Sequence, residues 1–128
     1  MKMLREHFPQ RHIRKLVPIS AGFVDNWRTS SGFRLHLVTD LAAFALGGMF
    51  RISAAAWVWL VIVFVLKTAI EPLNSAIELL VDKCYQGSYN SVAKRIKDSA
   101  AAGVFATVMG SLIIWGIIFV PEFIGIIV

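Results

Sequence analysis

Cysteine is almost missing from this chain: Cys84 is the single one in 128 residues. One thiol excludes an intramolecular disulfide framework, and no His and Cys set is spaced for zinc. Cys84 reads as a small residue at a helix end. The glycine-rich nucleotide cradles are also missing, since neither a G-x-x-x-x-G-K-[ST] run nor a protein-kinase glycine loop occurs. Charge is scarce, at 16% Asp, Glu, Lys and Arg. Although the net charge is +5, no compact basic recognition motif accompanies it, so nucleic acid is not an expected partner. The basic start is not followed by a short apolar core with a small-residue cleavage site, so no signal peptide is expected.

Apolar side chains are abundant. The sequence is 57% hydrophobic with a mean hydropathy of +0.68, whereas soluble domains hold roughly 45–50%. The expected class is an all-α membrane protein forming a single domain over residues 1–128. Residues 1–34 form a basic surface segment in which Pro9 and Pro18 break the chain. Ile19, Phe23, Val24 and Trp27 recur there at helical spacing, as in an amphipathic helix lying at headgroup depth. Helical spans are expected over 35–50, 54–82 and 99–120, with a very short connection at 51–53 and a loop over 83–98. Pro121 is expected to stop the third span. Gly47 and Gly48 in the first span, and the small residues Ala100 to Gly103, Ala106 and Gly110 in the third, suit close helix packing.

Basic residues set the orientation. Seven of thirteen Lys and Arg lie within residues 1–34, and Lys83, Lys94, Arg95 and Lys97 flank the second connection. The first connection holds only Arg51, and the C-terminal tail holds none. By the positive-inside rule the N-terminus and the 83–98 loop are cytoplasmic in a multi-pass protein of a prokaryotic inner membrane.

The charges of the second span are not scattered. With Lys67 at zero on a wheel of about 100° per residue, Glu71 falls near 40°, Asn74 near −20°, Glu78 near 20° and Asp82 near 60°. A charge at membrane depth costs roughly 2.5–3.5 kcal/mol, so a row of them marks a lined site. Lys67, the deepest, is expected to snorkel or to pair with Glu71 at i+4, and Asp40 to face other helices. Two carboxylates seven residues apart, an amide between them and a Lys-Asp pair beyond the loop suit phosphate-plus-metal chemistry at a face where ATP is found. A proton or ion relay is the rival use of such a stripe.

The run Glu71-x-x-Asn74-Ser75-Ala76-Ile77-Glu78-x-x-Val81-Asp82, followed by Ala93-Lys94-x-x-Lys97-Asp98-x-Ala100-Ala101-Ala102, resembles the small prokaryotic integral-membrane diacylglycerol kinase and undecaprenol kinase family. Phe33-Arg34-Leu35-His36-Leu37, with Gly22 and Trp27 upstream, is similar to the family's segment entering the first span. The resemblance covers about residues 20–120. It implies a homotrimer of three-span subunits that transfers the γ-phosphate of ATP, with Mg²⁺, to the hydroxyl of diacylglycerol or undecaprenol. An alternative is a kinase-like membrane protein that binds lipid, nucleotide or a partner. Carried over residue by residue, Glu71 matches the catalytic base and Asn74 a residue supporting the site. Glu78 matches a carboxylate that binds metal and nucleotide. Tyr89, Lys97 and Asp98 match nucleotide contacts, and Phe33 and Arg34 the lipid-side segment. Plainer roles stand beside these: Asn74 bonding between helices, Asp98 capping the third span, Lys97 meeting headgroups.

The chain departs from the family pattern at the site itself. Ser30 stands where the family carries a metal-sharing glutamate, and Asp25, five residues earlier, falls about 140° away on a helix. Gly32 replaces a residue that is often Asn or Ala. Pro72 removes an amide donor beside Glu71, so a kink is expected there. Lys67 is expected to favour the ionised form of Glu71.

Overall fold

The computed structural model describes residues 8–86 and 89–127. They form four helices in chain order: α1 (Phe8–Thr29), α2 (Ser31–Phe50), α3 (Ala54–Tyr85) and α4 (Ser91–Ile127), with no strand among the described residues. Three stretches, Ser31–Phe50, Ala54–Tyr85 and Ser91–Gly125, are long and apolar enough to cross a membrane. Backbone groups in hydrocarbon have no water to bond, which favours continuous helices of this kind. The 32 residues of α3 extend to roughly 48 Å at about 1.5 Å per residue, well beyond a hydrocarbon core of about 30 Å.

The helices run further than the sequence pattern predicts. Helix α2 begins at Ser31 rather than at residue 35, because the Ser30 hydroxyl caps it by accepting from the Phe33 amide at 3.0 Å. The loop expected over 83–98 is instead helical on both sides of a short connection. Helix α3 continues to Tyr85, and α4 starts at Ser91, where Asn90 Oδ1 accepts the amides of Val92 and Ala93 at 2.8 and 3.1 Å. Asn90, not Asp98, therefore caps the third span. The interior prolines are absorbed: α1 runs unbroken from Phe8 to Thr29, so Pro9 and Pro18 do not break the segment as expected, α3 passes through Pro72, and α4 passes through Pro121 and ends at Ile127. A proline removes one ladder bond, while the apolar residues beyond Pro121 give the chain little reason to leave the helix.

The turn between α2 and α3 is closed by Arg51, which adopts a left-handed conformation at φ 54°. Its amide bonds to the Gly48 carbonyl at 3.3 Å, and the Ile52 amide bonds to the Gly47 carbonyl at 3.2 Å, as at helix ends that reverse direction. Gly47 is needed here, since a Cβ on it would lie 2.9 Å from Ile52 Cδ1 and 3.3 Å from Leu60 Cδ1. Gly48, Gly103 and Gly110 meet nothing comparable within the single chain. Ala43, Ile52, Leu60 and Phe119 form the buried cluster, with Phe44, Trp57 and Trp115 packed on it. The Phe44 and Trp57 rings stack at 6.0 Å, and Phe50 meets Phe123 edge-on at 4.9 Å.

Above this cluster the hairpin carries charge. Lys67 and Asp40 are each only 3% exposed. Lys67 Nζ donates to Asp40 Oδ1 at 2.8 Å and reaches Thr39 Oγ1 at 3.5 Å. It also sits 4.7 Å from the centroid of the Trp115 ring on α4, a distance at which a cation is attracted to the ring face. The expected Lys67–Glu71 pair is thus replaced. Asp40 points inward, as expected, and a buried carboxylate needs a counter-charge more than a snorkelling lysine needs water.

Left-handed backbone costs a residue with a Cβ about 1–2 kcal/mol. Arg51→Gly is therefore expected to stabilise the hairpin by about 0.5–1 kcal/mol, raising the unfolding midpoint of the purified protein in mild detergent. A lowered midpoint would show that the arginine side chain itself holds the turn.

Candidate functional site

The site is built where α2 starts. Antiparallel packing pairs Gly47 with Leu60, Asp40 with Lys67, and then His36 and Ser30 with Glu71. The spacing of these positions on each helix is about one or two turns, so a single stripe of α2 faces a single stripe of α3. At the open end of the stripe stands Glu71, buried to 6% exposure.

Its carboxylate is held on one side and open on the other. The Ser30 hydroxyl donates to Glu71 Oε1 at 2.9 Å while also accepting from the Phe33 amide. Glu71 Oε2 is buried and has no hydrogen-bond partner, with His36 Nε2 at 3.6 Å. Gly32 completes the cradle, because any Cβ there would collide with Glu71 Oε1. One turn along α3, Asn74 Nδ2 donates to Glu78 Oε1 at 3.1 Å, leaving Asn74 Oδ1 buried and unpartnered.

A cavity of about 600 Å³ opens over this row. Glu71, Asn74, Glu78 and Asp82 line it from α3, and Asp25, Asn26, Thr29, Ser30 and Gly32 from the α1–α2 junction. Asp25, set aside on the helical wheel, belongs to this wall: α1 ends at Thr29 and α2 starts at Ser31, so one wheel cannot run through both. Asp82 also borders a second cavity of about 360 Å³, lined by Tyr85, Tyr89, Asn90, Lys94, Lys97 and Asp98. Lys97 Nζ donates to Asp82 Oδ1 at 3.0 Å, and Lys94 Nζ to Asp98 Oδ2 at 2.6 Å. These are exposed pairs, screened by solvent and weak enough for a ligand to displace.

The expected site residues thus fall into two adjoining groups, with Glu71, Asn74 and Glu78 in the first cavity and Tyr89, Lys97 and Asp98 in the second. Phe33 and Arg34 lie apart from both. Phe33 is 2% exposed and its ring lies 6.2 Å from that of Phe23. Arg34 Nη1 donates to the carbonyls of Trp27 and Arg28 at 2.9 and 3.1 Å, tying down the end of α1. Their observed work is to set the α1–α2 corner. Ser30 and His36 on Glu71 are the contacts that residue-by-residue matching did not assign, since they depend on how the helices pack.

Among the described residues no three His, Cys, Asp or Glu side chains gather into a self-sufficient metal site. The neighbouring oxygen donors are the Glu78 carboxylate, to which Asn74 Nδ2 donates, and the unpartnered Asn74 Oδ1. That set suits Mg²⁺, which keeps waters and takes one or two carboxylates together with substrate phosphates.

A three-span helical chain with a carboxylate and amide cleft at one end of its hairpin is an integral membrane protein with a polar site. Residues 20–119 match the family described as prokaryotic diacylglycerol kinase. The chain is 30% identical over 108 residues to a diacylglycerol kinase of Synechocystis sp., a match covering 84% of this chain and 62% of that protein. It is 29% identical over 112 residues to the undecaprenol kinase of Bacillus subtilis, covering 88% and 90% of the two chains. To the diacylglycerol kinase of Escherichia coli K12 it is 30% identical over 97 residues, covering 76% and 79%. The chain belongs to the prokaryotic diacylglycerol kinase family.

Gly32→Ala is expected to push the Glu71 carboxylate off Ser30, since the colliding atom is the far end of a side chain that can move. Ser30→Ala removes the donor while leaving the space. Both should leave the unfolding midpoint within a few degrees of wild type; the cap loss in Ser30→Ala is worth about 1 kcal/mol. Infrared spectra of the carboxylate should change in both. An unchanged Glu71 band in both variants would contradict the clamp.

Proposed function

We propose that this protein is a membrane lipid kinase that moves the γ-phosphoryl group of ATP onto the hydroxyl of diacylglycerol or undecaprenol at the cytoplasmic membrane interface. The observation that carries this reading is the lining of one cavity by Glu71, Asn74 and Glu78, beside a second cavity holding Tyr89, Lys97 and Asp98. Membership of a family whose named relatives are diacylglycerol and undecaprenol kinases supports it.

Each residue's part follows from its surroundings. Glu71 is the base: Ser30 fixes one oxygen, and the unpartnered Oε2 is free to accept the proton of a lipid hydroxyl. Asn74 orients Glu78, and the two supply oxygen ligands for Mg²⁺. When bound, the metal neutralises charge on the nucleotide phosphates. Lys97, released from Asp82, offers its ammonium to the phosphates, with Asp98 and Tyr89 at the same cavity to position the nucleotide. With Ser30 in place of a carboxylate, Glu78 and Asn74 would hold the metal together with water and the phosphates, so weaker Mg²⁺ binding in the absence of nucleotide is expected.

The setting is proposed with the chemistry. The basic N-terminal segment and the connection before α4 lie on the cytoplasmic side of a prokaryotic inner membrane. Helix α1 lies along the interface, where its exposed Ile19, Phe23, Val24 and Trp27 enter the headgroup layer. The assembly is a homotrimer, and the outward apolar side chains of α2 to α4 face lipid or a neighbouring copy.

Purified protein in vesicles containing diacylglycerol or undecaprenol should transfer label from γ-labelled ATP to one of the two lipids. Glu71→Gln should lower the rate by about 10²–10⁴-fold. No transfer to either lipid, with Mg²⁺ or Mn²⁺, would contradict the reading and favour a kinase-like protein that only binds.

A further inference from the structure

Resting on the kinase reading, we propose that His36 is the second member of a Glu71–His36 proton-accepting pair. The imidazole lies on α2 one turn before Asp40, so the same packing that seats Asp40 on Lys67 aims His36 at Glu71. Its Nε2 is 3.6 Å from Glu71 Oε2, the carboxylate oxygen left without any hydrogen bond, and the two side chains are 12% and 8% exposed. Separations slightly beyond hydrogen-bond length are common at resting sites and shorten when substrate closes them. The other oxygen is already occupied by Ser30, so a proton delivered to Glu71 arrives on the side that faces His36.

A reason for the pair lies in the local charges. A proton left on Glu71 would hold the base spent inside a buried site. His36 is half-buried, and the charged groups around it are Lys67 and Glu71 from α3 and Asp40 from its own helix. Lys67 is consumed by Asp40 at 2.8 Å and by Trp115, so it does not compete for the Glu71 carboxylate. Imidazole is suited to take up and release a proton near neutral pH. In the full step the lipid O–H bond breaks and its oxygen bonds to the γ-phosphorus. The bond from that phosphorus to the bridging oxygen breaks, and ADP leaves with the electron pair. The proton passes through Glu71 Oε2 to His36 Nε2 and returns to solvent through Glu71, which lines the cavity.

The test has two arms on the full chain in lipid. In the first, nuclear magnetic resonance follows the His36 imidazole, assigned with His36→Gln, in wild type and in Glu71→Gln without substrates. Loss of the neighbouring negative charge should move the His36 titration to lower pH, and an unmoved titration would overturn the pair. In the second, γ-phosphate transfer by His36→Gln should show kcat reduced about 100-fold with KM for ATP unchanged, and the acid limb of the rate profile moved to lower pH. Transfer by wild type combined with undiminished kcat in His36→Gln overturns this inference alone. Absence of transfer by wild type overturns the kinase reading and this step with it.

Discussion

The buried pair between Lys67 and Asp40 is the constraint from which the geometry of this chain follows. Either charge alone at membrane depth would cost roughly 2.5–3.5 kcal/mol. Removing one partner of a buried pair typically costs about 3–5 kcal/mol, because the other is left uncompensated. The two residues therefore have to meet, at 2.8 Å and with Trp115 of α4 against the ammonium. That meeting fixes α2 against α3 in both rotation and register. An apolar helix pair could slide by a turn at small cost, but this one cannot. Once Asp40 is seated on Lys67, His36 and Ser30 are delivered to Glu71, and Gly47 is delivered to Leu60 at the turn.

The same constraint shapes the electrostatics of the site. A lysine one turn from a carboxylate would ordinarily favour its ionised form. Here that lysine is neutralised from another helix, and Glu71 is left with a hydroxyl on one oxygen and an open second oxygen. Ser30 has two tasks. It caps α2 and holds the Glu71 carboxylate with one hydroxyl.

Much of this could be read from the residues. Composition and span lengths announce three membrane-length helices, and the 3.6-residue period places Glu71, Asn74 and Glu78 in one row, which lines one cavity. What could not be read were partners contributed by other helices. A Lys67–Glu71 pair is visible in the i+4 spacing, whereas Asp40 lies 27 residues away. Asp25 falls off the stripe on any single wheel because the chain changes helix at Ser30. The loop expected over 83–98 is mostly helix for the converse reason. Polar residues such as Lys94 and Asp98 pair with each other along α4, so polarity alone did not mark a break. Phe33 and Arg34 matched a lipid-side segment by motif, yet their side chains are used to pin α1 to α2.

The most direct test of the dependence of the site on the Lys67–Asp40 pair is a double-mutant cycle read as γ-phosphate transfer to lipid. Lys67→Met and Asp40→Leu should each lower the rate at least about tenfold, and the double variant should recover most of the loss, a coupling of about 1.4 kcal/mol or more. Single variants that transfer phosphate at the wild-type rate, or losses that simply add in the double variant, would contradict it.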